Sequence, residues 1–167
     1  MSLIEDRILT DEIHPIDIVE TLAEHRDWAF DRVADDQIAM SVEGQWKTYA
    51  LTLAWSGGDA TLRLIATYET EPPAARLPVL MELLNLINDQ GWAGGFGYWE
   101  EQKLMVWRYG LLLSGGQVAA PEQIDAMIRA AIAACERYYP AFQLAAWSER
   151  SAADALQVAV APAWGRA

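Results

Sequence analysis

Apolar and polar residues alternate along this chain with two different periods, and the switches between them mark its elements. Residues 1–13 are mixed and read as extended. His14-Pro15 then opens a helix, since proline in a first turn loses only an N–H that would be unpaired anyway. Ile16, Val19, Leu22 and Ala23 recur at helical spacing and carry that helix to about Arg26. Trp28, Phe30 and Arg32 begin a strand that stops at an Asp35-Asp36 turn. Ile38, Met40 and Val42 alternate with Ala39, Ser41 and Glu43, as in a half-buried strand. After Gly44-Gln45, Tyr49, Leu51, Leu53 and Trp55 share one face of the next strand, opposite Thr48 and Thr52. Ser56-Gly57-Gly58-Asp59 is a turn cluster, and Leu62, Leu64, Ala66 and Tyr68 line a further strand. Successive hairpins of this kind predict an antiparallel meander.

Pro72-Pro73 ends the meander and leads to a helix from about Ala75 to Gln90, stopped by Gly91. Leu77, Val79, Leu80, Met81, Leu83, Leu84, Leu86 and Ile87 occupy more than one stripe of it. Such a helix is expected to be covered on more than one side. Either the chain's own elements cover it, or the sheet covers one side and a second subunit the other.

From Phe96 to Leu113 two aromatic, apolar segments meet at a charged apex, Glu100-Glu101-Gln102-Lys103, which reads as a β-hairpin. Its strands are expected at the centre of the sheet. Ser114-Gly115-Gly116 forms a loop, and Pro121 opens a third helix along Ile124, Met127, Ile128, Ala131, Ile132 and Cys135. Pro140 predicts a kink or break after Tyr138-Tyr139, with Ala141 to Trp147 resuming as a short helix. Ser151 and Asp154 resemble a capping box before a last short helix, and residues 162–167 read as a frayed tail. The order α-βββ(β)-α-ββ-α predicts one α+β domain over 1–167, with its core in 14–160. A twisted antiparallel β-sheet is flanked by helices.

Composition narrows the function classes. At 167 residues, 53% apolar and with eight tryptophans, the chain can bury a full core without disulfides. A net charge of −12 argues against nucleic acid and against an anionic membrane surface, both of which need basic patches. It favours solubility. The single cysteine, Cys135, rules out an internal disulfide and favours the cytoplasm. The N-terminal residues lack the basic and apolar regions of a signal peptide, and no apolar run approaches a membrane span.

Candidate chemistry is sparse. His14 and His25 would lie about 16 Å apart on one helix, too far to share a metal. His14 reads as a helix-start residue and His25 as a surface group. Cys135 sits on an apolar helical stripe, where a cysteine is normally inert. Ser114-Gly115-Gly116 and Gly57-Gly58-Asp59 fit no phosphate-loop spacing. Gly94-Gly95-Phe96-Gly97 precedes a strand, the wrong setting for a dinucleotide fingerprint. Glu100-Glu101 and Asp35-Asp36 fall in turns, as solvated charges rather than a catalytic pair. No catalytic, metal or cofactor residue is assigned. Trp92, Tyr98, Trp99, Trp107 and Tyr109 gather around the hairpin and belong either to the core or to an aromatic patch. Arg63 and Arg108 are expected to stack on rings or pair with acids.

Several runs together resemble the YbjN-like family of bacterial proteins: ArgAspTrp at 26–28, ValGluGly at 42–44, LeuLeuAsnLeuIleAsn at 83–88 and GluArgTyrTyrProAlaPheGln at 136–143, with the hairpin itself. The resemblance covers roughly 14–160. It implies a fold similar to type III secretion chaperones, commonly paired into a dimer, and the loose label of sensory transduction regulator. It supplies no catalytic or ligand residues. The expectation is a non-enzymatic homodimer that binds a segment of a protein partner in a chaperone-like or regulatory role. Leu77, Leu80, Met81, Leu84, Trp99, Trp107 and Tyr109 form the candidate interaction surface. A second reading is a small-molecule sensor with an aromatic pocket between sheet and helix.

Overall fold

A computed structural model describes residues 14–164, the last four by their backbone alone; the expected extended start lies outside the described residues. Four α-helices and six strands follow the predicted order: α1 (Pro15–His25), β1 (Ala29–Ala34), β2 (Gln37–Glu43), β3 (Thr48–Ser56), β4 (Thr61–Glu69), α2 (Leu77–Gln90), β5 (Gly95–Trp99), β6 (Leu104–Leu112), α3 (Pro121–Trp147) and α4 (Ala152–Trp164). A single 3₁₀ turn, Ala74–Arg76, leads into α2. His14 caps α1 as expected, its Nδ1 accepting from the Ile16 N–H at 3.1 Å.

The strands form one antiparallel sheet in the order β1-β2-β3-β4-β6-β5. Helix α2 carries the chain from β4 to the far edge, and β6 then returns to fill the gap. The hairpin therefore ends the sheet rather than forming its centre, with β5 as an edge strand. Phe30, Met40, Leu51, Ala66, Trp107 and Phe96 lie in register across all six strands. That row faces the helices, because side chains two apart share a face. Ile38, Leu53, Leu64 and Tyr109 form the next row. Leu51, Leu53, Leu62 and Leu64 are fully buried, so truncating any of them to alanine costs about 2–5 kcal/mol.

The helices contribute Ile16, Val19 and Ala23 from α1, Leu80, Leu83, Leu84 and Ile87 from α2, and Ile124, Ile128, Ala131 and Phe142 from α3 to the same core. On α2 the chain's own elements thus cover the main stripe. Leu77, Val79 and Leu86 are half-buried, and Met81 is exposed. Asp125 on α3 is buried between Arg26 (3.0 Å) and Arg129 (2.8 Å), which ties the end of α1 to α3.

Two expectations at prolines are corrected. Helix α3 runs unbroken through Pro140. The proline removes one helical hydrogen bond, yet the residues around it pack too well to let the turn go. Tyr138 and Phe142 meet Phe96 edge-on, Tyr139 meets Tyr68, and Ala141 is buried. Likewise α4 extends past Pro162 to Trp164, held by buried Ala152, Ala155, Leu156 and Ala159. Its start is capped as expected, the Ser151 hydroxyl accepting from the Asp154 N–H at 3.2 Å.

Candidate interaction surface

Among the described residues every helix packs on one side, and the opposite side of the sheet shows its own side chains, with Val106 of β6 buried among them. Asp31, Ala39, Thr52, Ile65, Arg108 and Gly95 form one row there. Small residues dominate this face over β1–β3, where Ala29, Asp31, Ala39, Ser41, Ala50 and Thr52 border a shallow concavity of about 360 Å³. Toward the hairpin it carries exposed Trp99 and Leu112 and the exposed guanidinium of Arg108. Arg63 pairs with Asp59 at 2.9 Å, as the sequence suggested for it.

The edge at β5 is closed by a side chain. Asn88 at the end of α2 donates to the Phe96 carbonyl and accepts from the Phe96 N–H, both at 2.8 Å. Its amide imitates a neighbouring strand and blocks pairing at that point. Just before β5, Gly94 lies against the Trp107 indole with φ +74°, where a Cβ would collide with the ring. The Gly91 N–H bonds the Asn88 carbonyl at 3.2 Å. Between these anchors Trp92 is thrust outward, 103% exposed relative to an extended reference. Beside it runs a groove of about 310 Å³ between β6 and α3, lined by Ala93, Tyr109, Leu111, Ala126, Met127 and Ala130, with Gln123.

The middle of α3 is fastened to the β2–β3 turn by a carboxylate. Glu136 accepts from the Tyr49 hydroxyl and from the N–H groups of Gln45 (2.9 Å) and Trp46 (3.4 Å). Gly44 gives it room, since a Cβ there would strike Glu136 and the Tyr49 ring. The Trp46 ring stacks on Tyr139 with centroids 6.0 Å apart. Burial first, and the Glu136 bond second, push the Tyr49 phenol far above its ordinary range. Burial also raises Tyr68, whose hydroxyl has no partner among the described residues. The Cys135 thiol is pushed up to about 12, chiefly by burial, so it stays protonated and unreactive at neutral pH. These groups weld helix to sheet.

Of the seven candidate surface residues, the structure separates two kinds. Leu80, Leu84 and Trp107 are 1%, 5% and 3% exposed and belong to the chain's own core, which corrects their place on a surface. Their stripe and strand face point at the helix–sheet layer. Leu77 and Tyr109 are half-buried, with Tyr109 stacked on Trp107 at 6.1 Å. Met81 (38%) and Trp99 (36%) are exposed, on α2 and on the open sheet face. Trp46, Trp92 and Trp147 are also exposed, and of these the sequence pattern groups only Trp92 with the hairpin aromatics. Nothing in local periodicity marks a tryptophan in a turn or at a helix end as uncovered.

The turn carboxylates Asp35, Asp36, Glu100 and Glu101 are exposed and mutually unburied, and His25 is a surface group. Among the described residues no three His, Cys, Asp or Glu side chains are arranged to hold a metal ion. No helix there is long and apolar enough to cross a membrane.

Fold and surface together define an α+β protein whose described helices cover one side of the sheet and which exposes Trp46, Trp92, Trp99 and Trp147. The chain belongs to the YbjN family, described as "Putative bacterial sensory transduction regulator", whose model matches residues 15–144. Its fold is shared with E. coli YbjN, solved as "a putative transcription regulator", at 11% identity and a TM-score of 0.50, covering 92% of this chain and 93% of that one. A chain from the HopA1–SchA chaperone–effector complex aligns at 18% identity and a TM-score of 0.44, covering 72% and 91%. No curated protein matches the sequence.

Proposed function

We propose that this protein is a non-enzymatic, protein-binding dimer of the cytoplasm, with a regulatory or chaperone-like role toward a segment of a partner protein. One observation carries the reading: Trp46, Trp92, Trp99 and Trp147 are each more than a third exposed. Tryptophan is costly to leave in water and dominates binding hot spots. The family description supports a regulatory role. Among the described residues the buried ionisable groups, Tyr49, Tyr68, Asp125 and Cys135, are surrounded by the core or paired within it, which supports binding rather than catalysis.

Multi-angle light scattering at micromolar concentration should return about twice the chain mass of 18.6 kDa. A mass that stays monomeric removes the dimer. Partner binding is tested by capture from native lysate with wild type against Trp99→Ser. A specific partner held by the first and lost by the second is expected, and identical captures would count against this surface.

A second reading rests on the groove beside α3. Its volume of about 310 Å³ and its Tyr109, Leu111 and Met127 walls suit a small apolar metabolite. Thermal-shift screening against a metabolite library decides it, and a flat response across the library sinks it.

A further inference from the structure

We propose that Trp92 and the β6–α3 groove form a self-complementary pair, through which two copies of the chain dock with each indole seated in the other's groove. This inference rests on the dimer reading above and names its contact surface. The knob is pre-shaped. Gly91 is bonded to Asn88, Gly94 lies on the Trp107 ring, and Phe96 is clamped by Asn88, so the backbone on both sides of Trp92 is anchored before any partner arrives. A loop anchored in this way loses less backbone entropy on docking than a free one. The receptor is flat and roomy because Ala93, Ala126 and Ala130 line it with single methyl groups, while Tyr109 and Met127 offer an aromatic face and a polarisable thioether.

Knob and groove are neighbours in one surface, since Ala93 of the groove follows Trp92 directly. A patch that carries both halves closes on itself by a two-fold axis rather than growing into a filament. Electrostatics favour this spot as well. Each copy has a net charge of −12, yet none of the residues lining the groove is charged. Like-charged bodies touch most cheaply where both are neutral, and added salt should tighten the pair.

Each indole buries about 200 Å², and with the groove walls two exchanged indoles bury on the order of 800 Å². Stable specific interfaces bury about 1,200–2,000 Å², so this dimer should be reversible and concentration-dependent.

Sedimentation equilibrium over a concentration series tests it, with Trp92→Ala removing the knob and Ala130→Glu filling the groove. Ala130 is exposed on a helix, and glutamate is a good helix former, so the fold should survive; circular dichroism checks this. Each variant alone should raise the dimer dissociation constant roughly 30-fold or more. An equimolar mixture of the two should partly recover association, because the knob of Ala130→Glu still meets the open groove of Trp92→Ala. Wild-type dimerisation in either variant, or no recovery in the mixture, overturns the docking while leaving the dimer itself standing. A monomeric wild type at every concentration overturns both. A metabolite-induced thermal shift in that monomer, lost in Ala130→Glu, would instead give the groove to a small ligand.

Discussion

Glutamate at position 136 offers the sharpest test of how the sheet is held. Its carboxylate is the partner of a tyrosine hydroxyl that is otherwise sealed inside, since Tyr49 has no exposed surface. Replacing Glu136 by alanine leaves that hydroxyl buried without an acceptor, which costs about 1–3 kcal/mol. The N–H groups of Gln45 and Trp46 lie in an exposed turn and can turn to water, so each adds only about 0.5 kcal/mol. The sum is a loss of about 2–4 kcal/mol. Glu136→Gln keeps an acceptor of similar reach and should cost about 1 kcal/mol.

A double-mutant cycle isolates the buried bond from everything else. In a Tyr49→Phe background the hydroxyl is gone, and Glu136→Ala then forfeits only the two turn bonds, about 1 kcal/mol. The coupling should therefore be about 1–3 kcal/mol. Urea unfolding, followed by tryptophan fluorescence and by circular dichroism at one fixed protein concentration, supplies the four stabilities. Unchanged slopes are required for the comparison to hold. Additivity within about 0.3 kcal/mol would mean that Tyr49 draws nothing from Glu136, and the account of this joint would be wrong.

Other expectations follow from single contacts. Gly94→Ala must place a Cβ at φ +74° against the Trp107 ring and should cost about 2–4 kcal/mol in urea unfolding; a loss below about 0.5 kcal/mol would contradict the packing. Asn88→Ala frees the Phe96 N–H and carbonyl at the sheet edge and should lower stability by about 1–2 kcal/mol while raising aggregation on heating, read by light scattering. Cys135 should resist a thiol reagent at pH 8 in the native state and react fully in denaturant. Its raised native pKa, about 12 against an ordinary 9.0, means that the unfolded chain ionises first. Stability from this group is therefore complete below about pH 9 and falls as pH climbs toward 12, and Cys135→Ala should flatten the early part of that decline.

Much of the fold was legible because it is written in short-range patterns. Alternation in 38–43, 49–55 and 62–68 assigned each side chain to its sheet face, since strand geometry leaves only two choices. Pro15, Gly91 and Ser151 marked helix ends through local backbone chemistry. Pro140 misled for the opposite reason: its local cost is real, but Tyr138, Tyr139 and Phe142 repay it through contacts with Phe96 and Tyr68, far away in sequence. The order of the hairpin strands was hidden too, because β6 pairs with β4 across the whole of α2.

The interaction surface divides along the same line. On α2, Leu80, Met81 and Leu84 are all apolar, yet only Met81 is exposed, because Leu80 and Leu84 lie on the stripe shared with Leu83 and Ile87 that the core covers. Trp107 and Trp99 sit in one hairpin with opposite fates, one buried beside Gly94 and Tyr109 and one exposed on the other face. A hydrophobic residue announces that it wants a cover; it does not announce whose. Glu136 was legible only as a residue in a family-like run, since its partner Tyr49 lies 87 positions earlier. For Trp92 the described residues supply no cover at all, while Asn88 and Gly94 anchor the backbone on either side of it. A bare indole in water on an anchored loop gains no packing inside one chain, and that is what points beyond it to a second surface.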